Sequence, residues 1–99
     1  MFRVAMHDGA RASVMKIEGQ LSGEYAEHTR TLLTRCNPAT KLVVDLTDVT
    51  FVDSVGEDVL SVFGRFGAEF IADNAYSRDV CERLKLPLTR PAARLGTQK

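Results

Sequence analysis

The segment from Leu42 to Glu57 constrains the fold of this chain more than any other. Leu42-Val43-Val44-Asp45-Leu46 and Val49-Thr50-Phe51-Val52 are apolar runs rich in β-branched residues. They read as buried strand, whereas Val55, Val59, Leu60, Phe63 and Phe66 recur at helical spacing just downstream. Between the two patterns stands Asp53-Ser54-Val55-Gly56, which puts Ser54 on a strand-to-helix junction. At such a junction the free backbone N–H groups and the positive end of the helix dipole favour a negative charge such as a phosphate.

The flanking sequence alternates strand and helix patterns. Phe2, Val4 and Met6 alternate with Arg3, Ala5 and His7, and Met15, Ile17 and Leu21 with Lys16, Glu18 and Gln20, on either side of Asp8-Gly9. Asp-Gly between two alternating segments predicts a β-hairpin with a type I′ turn, which needs positive φ at both central residues. From Ser22, the predicted N-cap, Tyr25, Thr29, Leu32, Leu33 and Cys36 recur at helical intervals until Asn37-Pro38 ends the element. A strand from Lys41 to Leu46 follows, then a second helix from about Val55 to Phe66 with Gly67 as its stop, then a strand from Ala68 to Ala72. Asp73 and Asn74 are expected to cap a third helix whose Tyr76, Val80 and Leu84 face one way. Strands alternating with helices imply parallel pairing and right-handed crossovers, hence an α/β fold with a mixed sheet of four to five strands.

A chain of 99 residues is expected to form a single domain over 1–99. Its end, from 86 or Pro87 to Lys99, has no sustained period and is expected to be a loose tail. With 13 basic and 13 acidic residues the net charge is zero, so no field draws in nucleic acid or an anionic membrane. No apolar run approaches the ~20 residues of a membrane span, and Met1-Phe2-Arg3-Val4 enters a strand pattern directly instead of a signal peptide. A cytosolic protein is the expectation, monomeric or weakly dimeric. Cys36 and Cys81 have no second ligand at metal spacing and read as packed thiols, while His7 and His28 read as solvated. Neither a metal nor another cofactor is expected.

The segment from about Lys16 to Leu86 resembles the STAS domain family, named for sulphate transporters and anti-sigma-factor antagonists. The family pattern is a strand ending in Asp-Leu, a short link, an apolar pair, then Asp-Ser-Ser-Gly and a helix. Asp45-Leu46, Phe51-Val52, Asp53, Ser54 and Gly56 match it. Ile17-Glu18-Gly19-Gln20-Leu21 looks like the family's Gly-Glu-Leu-Asp segment, with Ser22 at the aspartate position, and Gly67-Ala68-Glu69-Phe70-Ile71 looks like its next strand. The resemblance implies a regulatory module that binds an anti-sigma factor or a histidine-kinase-like switch protein. It also implies that phosphorylation of Ser54 releases that partner. The chain departs from the pattern at Val55, in place of the second serine, and at Glu57-Asp58, in place of Leu-Gly. Relatives with altered motifs act as interaction modules without a phosphoswitch, so a scaffold or ligand-binding subunit of a signalling or transporter complex is the alternative.

Ser54-Val55-Gly56-Glu57 is also a capping-box pattern, in which Ser54 and Glu57 satisfy each other's backbone N–H groups. Ser54 is thus a cap, a phosphate acceptor, or both. Asp53 either caps or orients Ser54, and Gly56 serves either close packing or a partner's backbone. Glu57 and Asp58 suit a solvated first turn, and Asp45 and Asp48 could join them in an acidic patch facing a basic partner. The expected partner-binding set is Ser22, Asp53, Ser54, Gly56, Glu57 and Asp58. No base and orienting group lie in equivalent loops near Ser54, and there is no Gly-x-Ser-x-Gly elbow, phosphate loop or dinucleotide fingerprint, so no enzyme is expected.

Overall fold

The computed structural model describes residues 2–9, 12–35 and 40–89. Four strands, β1 (Phe2–Asp8), β2 (Ala12–Leu21), β3 (Lys41–Val52) and β4 (Glu69–Ile71), form one sheet in the order β1-β2-β3-β4. The helices are α1 (Gly23–Leu32), α2 (Ser54–Arg65) and α3 (Ala75–Arg83), and a 3₁₀ turn, Leu33–Arg35, follows α1. β1 and β2 are antiparallel, whereas β2 with β3 and β3 with β4 are parallel. The sheet is therefore mixed, as the alternation of patterns implies.

Each strand sends alternate side chains to one face, and there they meet the helices. Met15, Ile17, Leu42, Val44, Leu46 and Phe70 from the strands join Ala26 of α1, Val59, Leu60 and Phe63 of α2, and Val80 and Cys81 of α3 in one buried cluster. The opposite face carries no helix from this cluster. It holds ion pairs instead: Lys16 with Asp48 at 3.2 Å and with Glu18 at 3.8 Å, Arg3 with Glu18 at 4.0 Å, and Lys41 with Glu69 at 2.8 Å. These pairs are solvent-screened and contribute little each, but they keep that face wetted.

Several expectations are corrected in detail. The hairpin is present, yet pairing runs through Asp8 opposite Ser13, and Gly9 N donates to Ala12 O at 2.8 Å. The middle of the turn thus falls beyond Asp8-Gly9, outside the described residues. The Ser13 hydroxyl donates to Asp8 Oδ1 at 2.8 Å, which locks this register. β3 does not stop at Leu46 but continues to Val52, and β2 absorbs the mismatch with register shifts between Lys16 and Glu18 and between Gly19 and Gln20. In α1 the buried residues are Ala26 and Thr29, whereas Tyr25 is half exposed and stacks on Phe2 with ring centroids 4.8 Å apart. In α3, Ser77, Val80 and Cys81 are buried, whereas Tyr76 is exposed and Leu84, at the end of the helix, only partly buried. The helix end expected at Cys36, Asn37 and Pro38 lies outside the described residues.

Residues 86–89 differ from the loose segment expected there. Phe70 N donates to Pro87 O at 2.9 Å, Thr89 N donates to Phe70 O at 2.7 Å, and Leu86 packs on the core. Residues 90–99 lie outside the described set. No helix among the described residues is long and apolar enough to cross a membrane.

Two measurements check this packing. Two backbone hydrogen bonds at about 0.5–1.5 kcal/mol each make residues 87–89 worth ~1–3 kcal/mol. A chain ended after Leu86 should therefore melt roughly 5–15 °C below one ended after Thr89. Equal midpoints would show that the added segment contributes nothing. Cys81 is fully buried, and burial pushes its thiol up from 9.0 to about 11. Between those values the unfolded chain releases a proton that the folded chain retains, so stability falls as pH rises through the window. In a Cys36→Ser background, Cys81 should react with an aromatic disulfide at pH 8 only as fast as the protein unfolds. Immediate reaction in the native protein would contradict the packing.

Candidate functional site

Parallel β2 and β3 end side by side, with Leu21 opposite Val52, and Asp53 N donates to Leu21 O at 3.4 Å. Each strand then turns directly into a helix, α1 at Gly23 and α2 at Ser54. Two helix N-termini are thereby brought together at the carboxyl ends of neighbouring parallel strands, the part of an open α/β sheet where ligands and partners are commonly bound. Their first-turn N–H groups need acceptors, and the combined dipoles favour negative charge.

One side chain supplies both caps. Asp53 Oδ1 accepts from Gly56 N at 2.8 Å, capping α2, and Asp53 Oδ2 accepts from Gly23 N at 3.1 Å, satisfying the start of α1. This corrects the capping-box expectation, because Ser54 is already the first helical residue. Ser22 occupies the N-cap position of α1 with no side-chain cap bond, while Asp53 supplies an acceptor to the first N–H of that helix. Ser54 is exposed, and its hydroxyl has no hydrogen-bond partner among the described residues.

Gly56 is buried where α2 crosses the strand ends. A Cβ there would collide with Leu21 O and lie 2.8 Å from Val52 Cγ1, so the position serves close packing. Glu57, expected as a free first-turn carboxylate, is bound by Arg83 Nη1 at 2.9 Å, and Arg83 Nε also reaches Asp79 Oδ2 at 3.1 Å. These two carboxylates, Glu57 first, hold the Arg83 guanidinium above its ordinary pKa. Asp58 remains exposed. Asp45 and Asp48 do not join an acidic patch here: they sit about 13 to 23 Å back along β3 at ~3.3 Å per residue, and Asp48 is paired with Lys16.

The cap of α3 at Asn74 is as the sequence implies, but the contacts that α3 makes with β3 are absent from a local reading. Asn74 caps α3 by accepting from Ser77 N at 2.8 Å and donates its amide to Thr47 O. The Tyr76 hydroxyl accepts from Val52 N at 2.8 Å, where β4 is too short to pair with β3. Only the threonine-to-asparagine and valine-to-tyrosine distances along the chain separate these pairs, and no motif marks them. Phe51, next to the junction, is about half exposed, which the apolar run did not foretell.

Among the described residues no three His, Cys, Asp or Glu side chains gather at metal-binding distance. His7 lies in β1 and His28 in α1, both exposed and neither bonded to Ser54. A hollow of about 330 Å³ lined by Ser61, Gly64, Arg65, Leu84 and Leu86 opens at the far end of α2 from Ser54.

The division of labour between Asp53 and Ser54 is directly testable. Asp53→Ala removes acceptors from the starts of two helices and should cost about 1–4 kcal/mol, twice the usual single-cap value. Asp53→Asn retains one acceptor and should fall between. Ser54→Ala should leave the thermal midpoint unchanged within ~2 °C, because it breaks no bond. If Ser54→Ala is as damaging as Asp53→Ala in chemical unfolding, the cap has been misassigned.

No protein-family model matches this chain. No curated protein matches it in sequence. Solved structures do match in fold. An anti-sigma factor antagonist from Mycobacterium paratuberculosis superposes with a TM-score of 0.74 at 21% identity, covering 92% of this chain and 86% of that one. The anti-sigma factor antagonist SpoIIAA in its unphosphorylated form gives 0.66 at 16% identity, over 87% and 86% of the two chains. The STAS domain of an antisigma-factor antagonist from Rhodobacter sphaeroides gives 0.52 at 23% identity, over 70% and 82%. A sheet with one antiparallel edge strand, parallel inner strands and helices gathered on one face is thus the fold of the anti-sigma-factor antagonists and STAS domains, and it is the fold of this chain.

Proposed function

We propose that this protein is a non-catalytic, cytosolic regulatory module that binds an anti-sigma factor or a histidine-kinase-like switch protein. Its contact surface is the start of α2, Asp53, Ser54, Gly56, Glu57 and Asp58, with Ser22 beside it, and Ser54 is the phosphate acceptor. The observation that carries this reading is that Asp53 makes the cap. Among the described residues the Ser54 hydroxyl has no hydrogen-bond partner, and Ser54 stands exposed on the first turn of a helix beside a second helix N-terminus. Gly56 contributes through backbone position, since it is buried.

The electrostatics allow a phosphate without unfolding. A phosphoserine adds a charge of about −1.5 to −2, and a helix N-terminus offsets ~0.3–1 kcal/mol of its cost. Glu57 is already paired with Arg83, which leaves Asp58 on the helix and the capping carboxylate of Asp53 beside it as the opposing charges. At ~7 Å in water each repels a dianion by about 1 kcal/mol, roughly halved by physiological salt, so the terms nearly cancel within the free domain. At an interface the balance changes, because burying an unpaired charge costs several kcal/mol and each 1.4 kcal/mol is tenfold in affinity.

Exposed Asp58 and the replacement of the family's second serine by Val55 favour one other reading: a constitutive scaffold in a signalling or transporter complex, whose Ser54 no kinase modifies. The two separate in a binding experiment with the switch protein. Ser54→Asp should bind at least about tenfold more weakly than wild type, and Ser54→Ala should bind normally but take no label from ATP. Equal binding of the Asp variant, with no labelling of wild type, gives the scaffold reading its place.

A further inference from the structure

β1 is an outer strand, and among the described residues no strand lies along its far edge. The Gly9–Ala12 hydrogen bond fixes which of its main-chain groups face that edge, because antiparallel ladders alternate bonded and non-bonded pairs. Counting back along the unbroken register, His7, Ala5 and Arg3 direct their N–H and C=O groups to β2, while Phe2, Val4 and Met6 direct theirs outward. Exposed strand edges are normally blunted by proline, a bulge, an inward-pointing charge or charged side chains, lysine above all, and β1 has of these only Arg3 and Asp8, near its two ends. Phe2–Asp8 contains no proline, its pairing with β2 has no bulge, and Phe2, Val4 and Met6 are apolar side chains packed against the rim of the core and only partly covered.

We propose that β1 is a self-association edge: two copies of the chain pair their β1 strands antiparallel about a two-fold axis at Val4, continuing the sheet from one copy into the other. The strand is self-complementary in this register. Val4 meets Val4, and Phe2 of each copy meets Met6 of the other, so every outward main-chain group at these positions finds a partner in about six hydrogen bonds. The same pairing makes an apolar row that runs from Ile17 through Val4 of one copy to Val4 and Ile17 of the next. Centring the pair on Ala5 instead sets Arg3 opposite His7 and Phe2 opposite Asp8, a poorer match on both faces. A net charge of zero adds no long-range repulsion between copies. An edge of this length spans about 23 Å at ~3.3 Å per residue, so the interface belongs to the small, weak class, with a dissociation constant on the order of 100 µM.

Amide hydrogen exchange of the wild-type chain reads the pairing directly. Between about 10 µM and 1 mM, mass action should slow exchange at Val4 and Met6 roughly fourfold while Ala5 and His7, bonded to β2 in both states, do not change. In a Cys36→Ser background, Val4→Cys should oxidise to a covalent dimer. Ala5→Cys should not, because this register holds its two copies ~8 Å apart at Cα, beyond disulfide reach. Exchange independent of concentration with a monomer in sedimentation at 1 mM overturns the proposal and leaves the edge to an extended segment of another protein. Cross-linking of Ala5→Cys as fast as Val4→Cys overturns it as well.

Discussion

The carboxylate of Asp53 is the contact on which the arrangement at this end of the molecule depends. It accepts from the starts of two helices, one of them 30 residues before it in sequence, and so fixes α1 against α2 above the ends of β2 and β3. A single aspartate satisfies donors that would otherwise need two caps. Gly56 is the steric counterpart of that bond, because only a residue without Cβ lets α2 settle onto Leu21 O while its amide reaches Asp53. The pair explains why Asp53 and Gly56 stand where they do at this junction: the first caps α2 and the last lets it pack.

Energetics follow the same division. The buried cluster of Met15, Ile17, Val44, Leu60, Phe63, Phe70 and Val80 supplies the apolar burial that drives folding. The ion pairs lie on the open face and on the helix surfaces, where solvent screens them and their loss should be tolerated. Glu57 to Arg83 is the ion pair that touches the candidate surface, and it ties the first turn of α2 to the last turn of α3.

Much of this was legible in the sequence because the deciding interactions are local. Apolar period located α2 and its stop at Gly67, whose positive φ is the left-handed conformation a helix end requires. Asn74 was legible as a cap, and the parallel strands followed from the alternation of elements. What the sequence hid was set by tertiary context. Ser54 and Glu57 satisfy a capping-box pattern, but Asp53 won the cap because it also faces Gly23, a neighbour that no local window contains. Likewise Tyr25 left the apolar stripe of α1 to stack on Phe2, and residues 87–89 look unstructured until the free edge of β4 is placed beside them. That the two apolar runs join through Thr47 and Asp48 into one strand needed the register of β2, which neither run alone provides.

Under the proposed function, Ser54 carries a charge that the fold tolerates and an interface does not. The most direct test is calorimetry of the full chain with phosphoserine installed chemically at position 54, titrated against its switch protein and melted alongside the unmodified chain. At least a tenfold loss of affinity, with a melting midpoint within about 4 °C of the unmodified protein, is the predicted result, since 4–8 °C corresponds to ~1 kcal/mol at this size. Unchanged affinity, or a phosphoprotein that no longer folds, would contradict it.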